Sequence, residues 1–302
     1  MKNNNNKSES SRRNFLRNSL TLSAASITGL ALASSCSSND SGEKEQVLTK
    51  DGKLVEVDKS AIHHTDYRKP AIGREARKGI PYRKFVMVID LAKCTNARKC
   101  VEKCQHAHQL TPDKEWLKVF RMQDSKNTAP YWFPKPCYHC DNAPCVDVCP
   151  VSASYKRSDG IVLIDTDQCI GCKYCMVACS YSARTFNWEK NENIETAAIE
   201  YSPETSVPAK VGTVGKCDFC PDLLKNGELP HCAKACPMGV IYMGDLNEDT
   251  VTNGSETVRF SELMRDRGGY RYMDYLGTEP NVYYLPPVNR QFPFKEKEEK
   301  KA

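Results

Sequence analysis

Cys169-Ile170-Gly171-Cys172-Lys173-Tyr174-Cys175-Met176-Val177-Ala178-Cys179 places its cysteines at a Cys-x2-Cys-x2-Cys-x3-Cys spacing. A loop so spaced holds three corners of an iron-sulfur cube with its first three thiolates and sends the fourth, one helical turn on, to a neighbouring cube. One such run therefore predicts a second. It lies upstream as Cys137-x2-Cys140-x4-Cys145-x3-Cys149-Pro150, ending on the proline that closes such runs. A further run, Cys217-x2-Cys220-x11-Cys232-x3-Cys236-Pro237, repeats that ending. The earliest, Cys94-x5-Cys100-x3-Cys104, keeps the frame with Ala97 where the second cysteine belongs. In chain order these are motifs one (94–104), two (137–149), three (169–179) and four (217–236).

Composition narrows the chemistry. Of sixteen cysteines in 302 residues, fifteen sit in the four motifs and Cys36 stands apart. An odd, tightly clustered set cannot pair fully as disulfides, and Cys-x2-Cys spacing suits chelation. Structural zinc also uses Cys-x2-Cys pairs, but it accounts neither for the third and fourth cysteines nor for the trailing proline. The net charge of +5 is mild and the basic residues are scattered among acidic ones, which argues against nucleic acid as a partner. Trp132, Phe133 and Tyr138, beside cysteines, read as packing around a cluster.

Residues 1–36 read as a Tat export signal: Ser11-Arg12-Arg13-Asn14-Phe15-Leu16-Arg17 is followed by a moderately apolar run from Leu20 to Ala33. Ser19, Thr21, Ser23, Ser26 and Thr28 dilute that run below what a membrane-spanning helix of about 20 apolar residues needs. Ala33-Ser34-Ser35-Cys36 fits a lipobox that makes Cys36 a lipidated amino terminus, and Ala31-Leu32-Ala33 fits ordinary cleavage before Ser34. The isolation of Cys36 and the polar stretch after it favour the lipoprotein. Residues 37–80 read as a polar linker and surface arm, with His63 and His64 as a solvated pair.

Residues 81–245 carry the motifs. Phe85–Asp90 and Ile161–Asp165 are β-prone runs, each ending four residues before the first cysteine of a motif, an internal repeat. Ser158-Asp159-Gly160 marks a hairpin turn, and Val240–Met243 reads as a cover strand. Motifs two and three are joined by that short hairpin, whereas motif one to two and three to four have similar, longer connections. The arrangement predicts two nested ferredoxin-like modules: an inner one over 137–179, and an outer one from 94–104 and 217–236. Since each fourth cysteine serves the opposite cube, the expected ligand sets are crossed. Cys137, Cys140, Cys145 and Cys179 form one [4Fe-4S] site, called here the Cys140 site. Cys149, Cys169, Cys172 and Cys175 form the Cys172 site, and Cys104, Cys217, Cys220 and Cys232 the Cys220 site. Cys94, Cys100 and Cys236 are left with three thiolates at the Ala97 site. Alanine carries no donor, so a [3Fe-4S] cluster is expected there. A four-iron cluster with incomplete cysteine ligation, using Asn96 or water, ranks second and an empty site third. Residues 246–302 read as a tail that wraps the modules or a partner, with a short helix near Ser261–Arg267, an extended end at 281–285 and a charged, disordered terminus. The expected class is α+β with small hairpins, short helices and much irregular structure.

At these motifs the sequence resembles the iron-sulfur electron-transfer subunit of the complex iron-sulfur molybdoenzymes, the dimethyl sulfoxide reductase type. The leader and the closing Leu276-Gly277-Thr278-Glu279-Pro280-Asn281-Val282-Tyr283-Tyr284 look most like exported, DsrO-like and alternative-complex-III-like members. The resemblance covers about 80–290. It implies a non-catalytic wire between a molybdopterin-type catalytic subunit and a polytopic membrane subunit that exchanges electrons with quinone, on the periplasmic side. The rival of a free-standing exported polyferredoxin has no use for the lipobox or the long tail. A catalytic iron-sulfur enzyme is disfavoured because the chain holds neither a Cys-x3-Cys-x2-Cys triad nor a Gly-x-Gly-x-x-Gly fingerprint. His106 and His108 read as packing beside cysteines or lying at the surface.

Overall fold

The computed structural model describes residues 44–48, 54–58, 75–125, 128–189 and 201–288, and the chain divides into units of Met1–Thr65 and Asp66–Ala302. The export signal, Cys36, the histidine pair and the charged terminus lie outside the described residues. In the first unit Lys44–Leu48 (β1) pairs antiparallel with Leu54–Asp58 (β2), Val47 opposite Val55. The stretch read as a linker thus contains a hairpin, and its sequence signal is Asp51-Gly52 between two β-prone runs.

The second unit is organised on Phe85–Asp90 (β3), buried at all six positions. Phe85, Met87 and Ile89 face the core that holds the cysteines, and Val86 and Val88 face a second apolar cluster with Tyr242, Val251 and Leu285. A strand buried on both faces reads as an unbroken apolar run, which is what this segment shows. Lys99–Ala107 (α1) follows, then a hairpin of Lys118–Met122 (β4) and Tyr131–Lys135 (β5). After Pro144–Asp147 (α2), Ser154–Lys156 (β6) pairs with Val162–Ile164 (β7) around the expected turn. Next come Tyr174–Val177 (α3), then Thr185–Phe186 (β8) paired with Val214–Gly215 (β9). Motif four contributes Pro221–Lys225 (α4) and His231–Lys234 (α5).

The chain then returns to β3. Ile241–Asp245 (β10) pairs antiparallel with it, Met243 opposite Met87, and carries Thr250–Thr252 (β11) and Thr257–Arg259 (β12) outward. Phe260–Arg267 (α6) ends in Gly268 at φ 62°, the left-handed stop that glycine adopts without strain. Tyr270–Arg271 (β13) then pairs with Val282–Leu285 (β14), which lies parallel to β3 on its other side. The sheet order is β12-β11-β10-β3-β14-β13. Six strands exceed the small hairpins expected. The excess arises because β3 pairs with strands about 150 and 200 residues downstream, beyond reach of any local pattern.

The described part of the tail, 246–288, packs on the modules themselves. Asn281 is fully buried: its N–H donates to the Tyr138 carbonyl at 2.9 Å, and its Nδ2 donates to the His139 carbonyl at 2.7 Å and to Asp141 Oδ1 at 3.0 Å. Among the described residues no helix is long and apolar enough to cross a membrane.

Candidate metal centres

Four loops share one backbone device. The residue two past the first cysteine has positive φ in every motif: Asn96 at 59°, His139 at 44°, Gly171 at 70° and Phe219 at 67°. The reversal turns the loop so that successive thiols face inward, and glycine or asparagine accepts it most readily. At Gly171 a side chain is excluded outright, because a Cβ would sit 2.1 Å from the Gly212 carbonyl oxygen. Motif one keeps the same reversal at Asn96 although Ala97 has replaced the next cysteine. The third cysteine of each motif is then the second residue of a helix: Cys100 in α1, Cys145 in α2, Cys175 in α3 and Cys232 in α5. The fourth follows four residues later, one turn on.

The cysteines gather across motifs. Cys94, Cys100 and Cys236 line one cavity of about 370 Å³ with Asn96 and Ala97. Cys149, Cys169, Cys172 and Cys175 line another of about 310 Å³. Burial, then the neighbouring thiols of Cys137, Cys145 and Cys179, pushes the Cys140 thiol up to about 12. Burial, with Cys217 and Cys232 alongside, raises the Cys104 thiol well above its ordinary value. Each expected set is therefore brought together, with the fourth cysteine contributed from the opposite motif. Burial and then Cys236 and Cys94 push Cys100 up to about 11. Such thiols are protonated when free, so ligating iron releases protons.

The four groups form a succession. Cys100 acts on Cys104 and Cys232, joining the Ala97 and Cys220 sites. Cys137 acts on Cys217, joining the Cys220 and Cys140 sites. Arg184 acts on both Cys145 and Cys175, joining the Cys140 and Cys172 sites. At the far end Cys172 is exposed, the one cysteine in that class among the described residues.

The polar surroundings suit anionic clusters. Backbone N–H groups of Ser154 and Val240 point at the Cys149 and Cys236 sulfurs from 3.4 Å each. Asn96 Oδ1 and Arg184 Nη2 are buried without a hydrogen-bond partner. Of the two histidines near Cys104, His106 is exposed and His108 buried. His108 Nε2 sits 3.1 Å from Asp218 Oδ1 and 3.9 Å from Cys220 Sγ, and Nδ1 lies 2.9 Å from the Cys104 carbonyl. The sequence offered His108 no acidic partner at useful spacing, and the fold supplies one 110 residues away. Burial opposes a charge on His108, but the Asp218 carboxylate prevails and raises its pKa. This histidine therefore packs against the Cys220 site.

Comparison with known proteins agrees with this donor chemistry. The family model of a 4Fe-4S dicluster domain matches residues 128–202 and 201–246. A selenate reductase subunit of Mesobacillus selenatarsenatis is 35% identical over 250 residues, covering 77% of this chain and 81% of that protein. The chain belongs to the iron-sulfur subunits of dimethyl sulfoxide reductase-type oxidoreductases. The menaquinone reductase iron-sulfur cluster-binding subunit of Nitratidesulfovibrio vulgaris is 34% identical over 233 residues, covering 67% and 88%. A sulfite dehydrogenase subunit of Allochromatium vinosum is 34% identical over 226 residues, covering 67% and 82%. As a member of this family the chain holds [4Fe-4S] clusters and relays electrons.

Proposed function

We propose that this chain is the non-catalytic wire of a three-part complex, passing single electrons through four sites between a molybdopterin-type catalytic subunit and a polytopic quinone-interacting membrane subunit. The observation that carries the reading is the succession of four cysteine groups: Ala97 site, Cys220 site, Cys140 site, Cys172 site. The three complete sets hold [4Fe-4S] clusters and the Ala97 site a [3Fe-4S] cluster, which together supply one-electron redox chemistry. The chain's own residues fix the ligands, exclude water and set the local field.

An apolar surface at the Cys172 end supports a wire over a free carrier. Around the exposed Cys172, Ile170, Tyr174, Val177 and Trp188 are exposed, and Lys173 Nζ lies 3.7 Å from the centre of the Trp188 ring. Apolar groups clustered beside a redox site suit a protein partner. The relatives named as subunits of selenate reductase, menaquinone reductase and sulfite dehydrogenase support an assembly of this kind. The twin-arginine leader and the lipobox support folded export to the periplasmic side of the membrane, with Cys36 as anchor.

Purification of the tagged chain from solubilised membranes tests the proposal. Co-purification of a molybdopterin-containing protein and a polytopic protein is expected, with quinone analogues oxidising or reducing the chain's clusters. Isolation of the loaded chain alone, in the soluble fraction, establishes the free carrier instead.

A further inference from the structure

Two arginines are deeply buried among the described residues, and they are treated differently. Arg157 donates to Asp159 at 2.6 Å and to Glu204 at 3.3 Å, so carboxylates balance its charge. Arg184 is 4% exposed and has no carboxylate at ion-pair distance among the described residues. Its Nη1 donates to Ser154 Oγ at 2.8 Å, and its Nη2 is buried with no partner. A guanidinium cannot escape the cost of burial by losing its proton, so it needs an anion nearby.

The anions within its reach are cysteine sulfurs, and they come from two sites. Cys145 and Cys137 belong to the Cys140 site, and Cys175 to the Cys172 site. The arginine is also tied to Cys149, since the Ser154 that accepts from Nη1 directs its own N–H at the Cys149 sulfur. Thiolates bound to iron keep an anionic charge at all pH values where the protein is loaded. We propose that Arg184 is a shared counter-cation between the Cys140 and Cys172 sites, stabilising the reduced state of both and so raising their potentials together. Residing on the connection just before β8, five residues past Cys179, it is held by the same segment that delivers the crossed ligand. Coupled placement of ligand and cation keeps neighbouring steps of the relay close in energy, where one uncompensated site would trap or block an electron. The inference rests on the ligand sets proposed above.

The test is redox titration of the loaded chain, followed by electron paramagnetic resonance, in wild type, Arg184→Gln and Arg184→Lys. Cys175→Ser and Cys179→Ser first assign the signals to sites. A wrong ligand set shows itself there as loss of the wrong signal, whereas a wrong role for Arg184 leaves assigned signals unmoved. Arg184→Gln keeps an N–H donor and loses the charge. Both midpoints are expected to fall by at least a tenfold change in the one-electron equilibrium, about 59 mV each. The Ala97 and Cys220 sites stay unmoved, and Arg184→Lys recovers most of the fall. Midpoints unchanged at either the Cys140 or the Cys172 site overturn the proposal. Should Arg184→Gln not retain iron, Arg184→Lys decides: retention at both sites supports a requirement for charge, and loss in both variants assigns the residue a purely structural role.

Discussion

The imidazole of His139 and the ring of Phe219 stack with centroids 3.7 Å apart and planes 24° from parallel. These residues hold equivalent places in motifs two and four, both at positive φ, and each precedes a cysteine. The stack therefore joins the inner and outer modules where Cys137 approaches Cys217. A bulky residue in the left-handed region costs about 1–2 kcal/mol, so packing must hold it there. Phe219→Ala removes the ring and keeps the backbone cost, and a loss of about 3 kcal/mol is expected. Phe219→Gly loses the same ring but relieves the backbone, so it should be the more stable of the two, reversing the usual order. Iron release under a chelator, followed by visible absorbance, ranks them.

Asp141 ties three distant segments to motif two. Against the opposing effect of burial, hydrogen bonds from Lys156, Lys84 and Asn281 hold its carboxyl down at about 2. A depressed carboxylate contributes stability above its unfolded pKa, near 3.8, and loses it as pH falls through the folded value. The contribution is about 1 kcal/mol once solvent screening of this half-buried group is allowed for. Asp141→Asn should loosen the strand β14 strap, seen as faster hydrogen exchange at 278–285. The difference from wild type should be constant between pH 7 and 5 and vanish between about pH 4 and 2.

Cys179 ends motif three but gathers with Cys137, Cys140 and Cys145. Cys179→Ser should therefore damage the Cys140 site and spare the cluster on Cys169, Cys172 and Cys175. Site-resolved spectra that lose the Cys172 signal instead contradict crossed ligation.

The leader makes an independent prediction. Replacing Arg12 and Arg13 by lysine should leave loaded protein in the cytoplasm, and an unchanged periplasmic yield refutes the Tat route. Cys36→Ala should release the chain from membranes when its partners are absent. Equal retention returns the choice to cleavage before Ser34.

What the sequence made legible was local. Cysteine spacing gave the crossed groups, the apolar run gave β3, and Ser158-Asp159-Gly160 gave the β6–β7 turn, because each depends on residues within a few positions. The β1–β2 hairpin carries the same Asp-Gly signal at Asp51-Gly52, inside a stretch whose polar composition reads as a linker. Nothing near Phe85 announces that β10 and β14 will flank it, since that pairing is decided by segments far along the chain. The same holds for His108 with Asp218 and for Arg184 among cysteines of two sites. Each follows the last cysteine of a motif by four or five residues, but each acquires its role only when the modules nest.

The Ala97 site gives the sharpest remaining test. Its cavity is lined by Cys94, Cys100 and Cys236, and Ala97 is exposed on it, so the corner without a thiolate faces solvent. The loop is not decayed, because Asn96 keeps the left-handed turn seen at His139, Gly171 and Phe219. Asn96 Oδ1 is buried without a hydrogen-bond partner beside that corner, but an amide oxygen is a neutral, weak donor for iron compared with a thiolate. An iron held there only by the amide or water is the one most easily lost, which leaves a three-iron cluster. Oxidised protein should show a paramagnetic resonance from this site alone, and Asn96→Ala should leave that signal in place. Ala97→Cys should abolish it and add one iron per chain, since the backbone is already set for a ligand at that position. A silent oxidised spectrum, with iron content that neither starts low nor rises in Ala97→Cys, rules out three irons. A silent oxidised spectrum that becomes paramagnetic, with loss of one iron, in Asn96→Ala instead makes the asparagine a ligand.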